Sequence, residues 1–286
     1  MQSSDLSKEI DISNAERLPQ FDSNRSLKIL IHGWNADRNN MATIPVRNAY
    51  LVQNRHNLLV ADWSSIAGMA YSTARELVRP IGYRIGVILD EFMHRMSINY
   101  DQLHVVGHSL GAHVAGNVGK YFGGRLARIT ALDPAGPLFV SHSVDAVGSS
   151  DALFVDAIHT DGLVLGEVFA RAHVDFYPNR GIPSQPGCER LDIITLNACS
   201  HYRSTRFFAE SILLPYNFVA WKCGLKDILD NRSSECIRDV RNKDEGESIV
   251  VMGEHVENRT RGSYYLETSN SSPYGLGKRI LRRHQR

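Results

Sequence analysis

"LHVVGHSLGAHVAG", residues 103–116, passes from a β-branched segment through Gly-His-Ser-Leu-Gly into a run of small, helix-compatible residues. This order predicts a strand, a sharp turn and a helix, with Ser109 held out at the turn above the end of a sheet. Gly107 and Gly111 on either side leave room for neighbouring chain, and His108 directly precedes the serine. The stretch therefore makes Ser109 a candidate nucleophile, and a glycine-rich turn without chemistry is the alternative.

Segments on both sides of this stretch predict the rest of a sheet. Four of them are short and largely apolar, and turns or helix-like sequence separate them: LKILIHGW (27–34), NLLVADWS (57–64), RLARITALDPAGP (125–137) and ALFVDAIHT (152–160). Strands that are apolar throughout are typical of a parallel sheet covered by helices on both faces. Helical spacing recurs over 66–97, where Pro80 is expected to break or kink the helix, and over 200–213. We therefore predict an α/β fold with a mostly parallel central sheet.

The 286 residues are expected to form a single domain, 1–286, because no Pro- or Gly-rich linker divides them. Residues 1–26 are predicted to be an irregular N-terminal segment, and 277–286 a basic tail. Between the long helices and this tail lie two more β-like runs, ESIVVMGEHV and GSYYLETS.

Composition limits the classes of partner. The formal net charge is +1, so no charge imbalance points to nucleic acid or to a strongly acidic partner. No apolar stretch approaches the roughly 18–20 residues of a membrane span. The polar start lacks the apolar core of a secretory leader.

Other features are typical of extracellular proteins. Four Asn-x-Ser/Thr sequons occur, and the four cysteines all lie in the C-terminal half; these residues are Asn24, Asn231, Asn258 and Asn270, and Cys188, Cys199, Cys223 and Cys236. Four cysteines allow three pairings, of which the local one closes two short loops. We expect a secreted protein whose leader is missing from this chain.

A serine nucleophile needs a histidine base and a carboxylate that orients it, and in folds with this turn they follow in the order serine, acid, histidine. Asp133 stands at the end of a predicted strand, where sites of open α/β sheets lie. Asp156 and Asp161 are rival acids, and topology alone does not reject Asp161. Five histidines follow Asp133, namely His159, His173, His201, His255 and His284, and His201 lies two residues after Cys199.

Two backbone N–H groups are candidates for an oxyanion hole. That of Leu110 would open the helix after the serine, where it can donate to an anionic oxygen. That of Trp34 ends the strand segment LKILIHGW, with Gly33 allowing close approach. Packing of Trp34 in the core is the alternative.

Taken together, LKILIHGW, LLVADW, VVGHSLGAHVAG, ITALDPAGP, FVDAIHTDG, VDFYPN, PGC and CSHYRS occur in the order and spacing of one family. The chain resembles the pancreatic lipase family of α/β-hydrolases from about residue 27 to about 275. Within that family it looks most like the insect lipases and phospholipase A1 members. From this resemblance we expect the N-terminal strands of the family to be missing from this sequence.

The resemblance implies a secreted carboxylic ester hydrolase that cleaves glycerolipids through an acyl-enzyme, at a membrane or a lipid–water interface. It implies a catalytic triad with Ser109 as nucleophile, His201 as base and Asp133, in preference to Asp161, as acid. It also implies Trp34 and Leu110 as oxyanion donors and a Cys188–Cys199 disulfide that brackets a lid. The fold it implies is the α/β-hydrolase fold.

Departures from the family refine this expectation. The lid holds only ten residues, 189–198, which resembles the phospholipase A1 members. In the loop where the family binds calcium, only Asp145 and Asp151 are acidic, so no metal is expected, and the mechanism needs no other cofactor. No C-terminal β-sandwich follows, so no colipase-type partner is predicted. The alternatives are a neutral triacylglycerol or galactolipid lipase and, in another class, a non-catalytic lipid-binding or yolk-type storage protein.

Overall fold

The computed structural model describes residues 21–243 and 248–277. Within them nine strands form one sheet, in the order β2-β1-β3-β4-β5-β6-β9-β7-β8. The strands are β1 (Leu27–Ile31), β2 (Asn57–Ala61), β3 (Leu103–His108), β4 (Arg128–Leu132), β5 (Phe154–Ile158), β6 (Val174–Pro178), β7 (Val219–Lys222), β8 (Ile249–Val251) and β9 (Gly262–Leu266). Pairing is parallel from β2 through to β9 and antiparallel on both sides of β7. The mostly parallel sheet of an α/β-hydrolase fold is confirmed.

Helices cover both faces of this sheet. They are α1 (Thr43–Gln53), α2 (Ser64–Ala67), α3 (Tyr71–Glu76), α4 (Val78–Met96), α5 (Leu110–Tyr121), α6 (Glu189–Thr195), α7 (Ala198–Leu213), α8 (Leu225–Leu229) and α9 (Ser233–Lys243). Alternate residues of a strand point to opposite faces, so Val105 packs in the core under α4 and α5, whereas Val106 packs in the core under α1 and α7. Both faces of the central strands are therefore buried, as the uniformly apolar strand segments predict.

Pro80 neither breaks nor kinks a helix, contrary to the expectation for 66–97. It is the third residue of α4, in the first turn, where a backbone N–H has no intrahelical acceptor to lose. The interruption comes earlier, because 66–97 divides into α2, α3 and α4.

The C-terminal third contains strands that the sequence pattern did not separate. The run GSYYLETS contains β9, and ESIVVMGEHV contributes only the three residues of β8. Strands β6 and β7 were not predicted as strands. The predicted irregular segment is described only from residue 21, and nearly all of the predicted basic tail, 278–286, lies outside the described residues. No helix in the described part of the chain is long and apolar enough to cross a membrane.

Candidate active site

Ser109 lies between β3 and α5, at the strand-to-helix turn that the sequence predicts. Its φ is +57°, a conformation that costs a non-glycine residue energy, and its N–H donates to the carbonyl of Leu132 at 3.0 Å. A Cβ built on Gly107 would lie 2.2 Å from the carbonyl oxygen of Gly111, and one built on Gly111 would lie 2.4 Å from the carbonyl oxygen of His32. The two glycines are therefore required by the close approach of backbone at this turn.

Asp133 follows β4 directly and is fully buried. Its Oδ2 lies 2.6 Å from His201 Nδ1, and its Oδ1 accepts the N–H groups of Thr160 at 2.6 Å and Asp161 at 3.0 Å. Because a carboxylate can only accept, Nδ1 of His201 carries the proton. Nε2 of the neutral ring is then free to accept a proton from another group.

His201 is the fourth residue of α7 and is held by its main chain as well as its ring. Its N–H donates to the carbonyl of Asn197 at 3.0 Å, and its carbonyl accepts Ser204 Oγ at 3.1 Å and His108 Nε2 at 3.2 Å. The His108 and His201 ring centroids are 4.5 Å apart. His108 therefore brings the turn that carries Ser109 directly against His201.

His108 is uncharged at neutral pH. Burial, and then the charge of His201, hold the pKa of His108 well below its usual value. A neutral imidazole has one N–H, and His108 donates it to the His201 carbonyl. This contact is a supporting role that the sequence alone did not assign to His108, although its place in the motif is a signal.

The segment carrying Trp34 passes close to the serine. A Cβ on Gly33 would come within 3.3 Å of Ser109 Oγ. The Trp34 side chain is 42% exposed and its indole Nε1 donates to the carbonyl of Met69 at 2.8 Å, so it does not pack in the core. Leu110 is the first residue of α5, where a helix has no acceptor for its N–H.

The family model described as lipase matches residues 5–274. The chain belongs to the lipase family.

Curated relatives cover most of this chain. Pancreatic lipase-related protein 3 of Homo sapiens is 34% identical over 91% of this chain and 59% of its own length. Pancreatic triacylglycerol lipase of Mus musculus is 33% identical over 74% of this chain and 50% of its own. The chain spans about half the length of the curated relatives it matches. Among solved structures, an alpha/beta hydrolase enzyme from a deep-sea metagenome library is 19% identical over 49% of this chain and 58% of its own, with a TM-score of 0.35, too low to bear on function.

The rival acids and bases of this lipase-family chain have other partners. Asp156 is bidentate with Arg128, at 2.8 and 2.9 Å. His159 bonds Asp175 at 2.8 Å. His173 accepts the N–H of Val155, His255 is exposed, and His284 lies outside the described residues.

Asp161 is closer to the site than the other rivals. Its carboxylate lies within 4.8 Å of the polar atoms of Asp133 and His201, yet Nδ1 of His201 bonds Asp133. Burial, and then the charge of Asp133, raise the pKa of Asp161 to about 8. At neutral pH Asp161 is therefore largely protonated and is a poorer partner for a charged imidazole than Asp133.

Disulfides Cys188–Cys199 and Cys223–Cys236 join the cysteines in the local pairing. The first brackets α6, which lies in the segment 189–198 that the resemblance to the family implies is a lid. Four apolar lid side chains are exposed by 50 to 81%: Leu191, Ile193, Ile194 and Leu196. Asp192 is instead buried, with its carboxylate bonded to Ser200. Sequence analysis missed this residue, for which the only signal was one acid within the apolar run LDIITL.

The loop where lipase-family members hold calcium does not fit that ion here. Asp145 forms an ion pair with Arg75. Asp151 accepts Lys120 Nζ at 2.6 Å, and the same ammonium donates to the carbonyl of Ala146 at 2.8 Å. Side-chain cations already occupy the oxygens that calcium would need.

Two other groups of potential metal ligands lie close together among the described residues. One contains the two sulfurs of the Cys188–Cys199 disulfide, which are not thiolates and therefore not good ligands. The other is Asp133, Asp161 and His201, in which the Nδ1 proton of the imidazole already bonds a carboxylate. Neither group offers a ready metal site.

Proposed function

We propose that the chain hydrolyses carboxylic ester bonds of glycerolipids through an acyl-enzyme formed on Ser109. The observation that carries this proposal is the 2.6 Å contact of His201 Nδ1 with buried Asp133, made beside the strained turn of Ser109. A positioned base and an orienting acid are what a serine hydroxyl needs to become a nucleophile.

In the first step Ser109 Oγ attacks the acyl carbonyl carbon while its proton passes to Nε2 of His201. The oxyanion accepts the N–H groups of Trp34 and Leu110, each donor of this kind being worth roughly 10²–10³ in rate. His201 then gives its proton to the leaving glycerol oxygen as the C–O bond breaks. Water repeats the sequence on the acyl-enzyme, releases the fatty acid and restores Ser109.

Asp133 supports both steps without taking a proton. Its Oδ1 accepts two backbone N–H groups, which orient the carboxylate so that Oδ2 faces His201. The fixed negative charge keeps the Nδ1–H tautomer and stabilises the imidazolium that forms in each step.

We infer that the substrate is a phospholipid cut in the manner of a phospholipase A1. The lid helix α6 has only seven residues and offers little apolar surface to cover long acyl chains. An exposed apolar strip supports action at a lipid surface: the Trp34 ring contacts Tyr71, whose OH donates to the carbonyl of Pro137 beside exposed Leu138. Comparing hydrolysis of phosphatidylcholine and triolein would decide between this specificity and a triacylglycerol lipase.

Secretion and glycosylation are part of the same proposal. Two disulfides are typical of oxidising compartments. The four sequon asparagines are all exposed, so each is accessible to a glycosyl transferase: Asn24, Asn231, Asn258 and Asn270. A mobility shift on treatment of the secreted protein with a peptide N-glycosidase would test this.

Labelling with a fluorophosphonate probe tests the central claim. Wild-type protein should be labelled, and Ser109→Ala should not, because the probe reacts only with an activated serine. Ser72→Ala is a control that should still be labelled, since it removes the hydroxyl of an exposed serine in α3. A folded wild-type protein that stays unlabelled would contradict the proposal and favour the lipid-binding or storage alternative.

A further inference from the structure

One polar residue of the lid helix α6, Asp192, is turned inward, while the other polar residues of the helix are exposed. Leu191, Ile193 and Ile194 are exposed, whereas Asp192 between them is buried. Burying a carboxylate is costly unless hydrogen bonds replace its water. The contacts of Asp192 therefore indicate what this buried charge is for.

Both carboxylate oxygens of Asp192 contact the start of α7, the helix that carries His201. Oδ1 of Asp192 accepts the N–H of Ser200 at 2.9 Å, and Oδ2 accepts Ser200 Oγ at 2.5 Å. Ser200 is the third residue of α7, so its N–H is one of those that the helix itself leaves without an acceptor. Ser200 Oγ in turn accepts the N–H of Gln185 at 2.7 Å. The carboxylate thus caps α7 from within the lid.

The main chain continues this connection to the imidazole. The carbonyl of Asp192 accepts the N–H of Asn197 at 2.9 Å, and the carbonyl of Asn197 accepts the N–H of His201 at 3.0 Å. At the other end, the N–H of Asp192 donates to the carbonyl of Cys188 at 2.8 Å, and the Cys188–Cys199 disulfide closes the segment. Both the side chain and the backbone of Asp192 therefore constrain the turn of helix on which His201 sits.

The charge of Asp192 also acts near the triad. The cap places a negative charge at the positive end of the α7 dipole, which is stabilising. The same charge contributes, after burial and after Asp133, to the raised pKa of Asp161.

We propose that Asp192 is a positioning residue that locks the lid to α7 and holds His201 Nδ1 against Asp133. The proposal rests on the proposed function for its catalytic consequence, but the His201–Asp133 contact can be measured without turnover. Besides covering the site, the lid of this chain then also positions His201.

The test compares Asp192→Ala with wild type in three measurements. Without the cap, we expect kcat on a soluble short-chain ester to fall about 10- to 100-fold, because small misplacements of catalytic groups cost this much. The acid limb of the kcat/KM profile should move to lower pH, since a loosened imidazole loses stabilisation of its charged form. The downfield proton NMR signal of Nδ1–H in the His201–Asp133 contact should broaden or vanish. Asp192→Asn, which keeps one acceptor for the Ser200 N–H, should recover part of each effect.

Glu189→Ala is the matched control, because it removes an exposed carboxylate from the same helix and should change none of the three. A folded Asp192→Ala protein with wild-type kcat, pH profile and Nδ1–H signal would overturn the proposal. A folded wild-type protein that the fluorophosphonate probe does not label would instead count against the proposed function. In that event the Nδ1–H signal still decides the role of Asp192, since it requires no turnover.

Discussion

At the scale of single residues, two neighbouring aspartates have opposite environments. Asp133 accepts three hydrogen bonds, from Thr160, Asp161 and His201, so both of its carboxylate oxygens have partners. Asp161 has one carboxylate oxygen bonded to the N–H of Leu165 and the other buried without a hydrogen bond. Hydrogen bonding thus favours Asp133 over Asp161 for the proposed acid role, which chain topology left open between them.

Replacing Asp133 tests this assignment. Asp133→Asn should lower kcat by about 10³- to 10⁴-fold, since an amide can donate to Nδ1 and select the wrong tautomer. Asp161→Asn should lower it far less, because His201 makes no bond to that side chain. Steady-state kinetics of both variants on a soluble ester would check this. Equal losses in the two variants would show that the acid role is shared.

Asp161 should also make stability depend on pH. Its pKa is about 8 in the folded protein against 3.8 ordinarily, so between these values the folded state binds the extra proton. Stability then falls as pH rises from about 4 to about 8. Asp161→Asn should therefore be more stable than wild type at pH 9 by on the order of 1–2 kcal/mol, and similar to it below pH 4. Urea unfolding at the two pH values measures this, and an unchanged difference would refute it.

At the scale of elements, local patterns predicted the central strands because each is buried on both faces and so is apolar throughout. The turn at Ser109 could also be predicted from the sequence, because only glycine tolerates the close approach of backbone at positions 107 and 111. Strand β7 was not predicted, because it has only four residues, VAWK, of which only the central Ala220 and Trp221 are buried, so it shows neither a uniformly apolar nor an alternating pattern. The Asp192 cap joins residues eight apart across a disulfide loop, and no periodicity reports such a contact.

The packing of the turn against β1 predicts the effect of one methyl group. Gly111→Ala would place a Cβ 2.4 Å from the carbonyl oxygens of both Ile31 and His32, which are backbone atoms and cannot rotate away. We expect a loss of about 1–3 kcal/mol in the free energy of unfolding, the usual cost of overpacking. Gly148→Ala is the matched control, because nothing lies within 4 Å of its added Cβ. Equal stability of the two variants in thermal melts would contradict the close approach.

At the scale of the whole molecule, a buried network of charges crosses the sheet from β1 to β5 on the face covered by α1 and α7. Lys28 Nζ lies 2.6 Å from Glu254 Oε1 and 2.9 Å from His104 Nδ1. His104 continues through Thr130 to Asp156, at 2.8 Å for each contact. Strand β8 is one edge of the sheet, and Glu254 lies in the loop that follows it. The network therefore connects this loop to β1, in the other half of the sheet.

Glu254 is the end of this network that lies after β8, so its replacement should lower the free energy of unfolding of the whole domain. Burial alone would raise the pKa of Glu254, but Lys28 and Arg128 hold that pKa below its ordinary value of 4.5. The contribution of Glu254 is therefore present above about pH 4.5 and is lost as the pH falls through the lowered pKa. Glu254→Gln leaves the buried Lys28 ammonium without the carboxylate that it bonds and should cost about 3–5 kcal/mol at pH 7.

The double variant Lys28→Met/Glu254→Leu separates charge from packing. It removes both members of the pair and fills the space with apolar atoms, so it should cost less than Glu254→Gln alone. Glu257→Gln, in an exposed pair with Arg259, should change stability by less than about 0.5 kcal/mol. Denaturant unfolding at pH 7 and at pH 3.5 compares all three, and the gap between wild type and Glu254→Gln should narrow at the lower pH. A gap that stays constant with pH would mean that Glu254 acts through packing rather than through its charge.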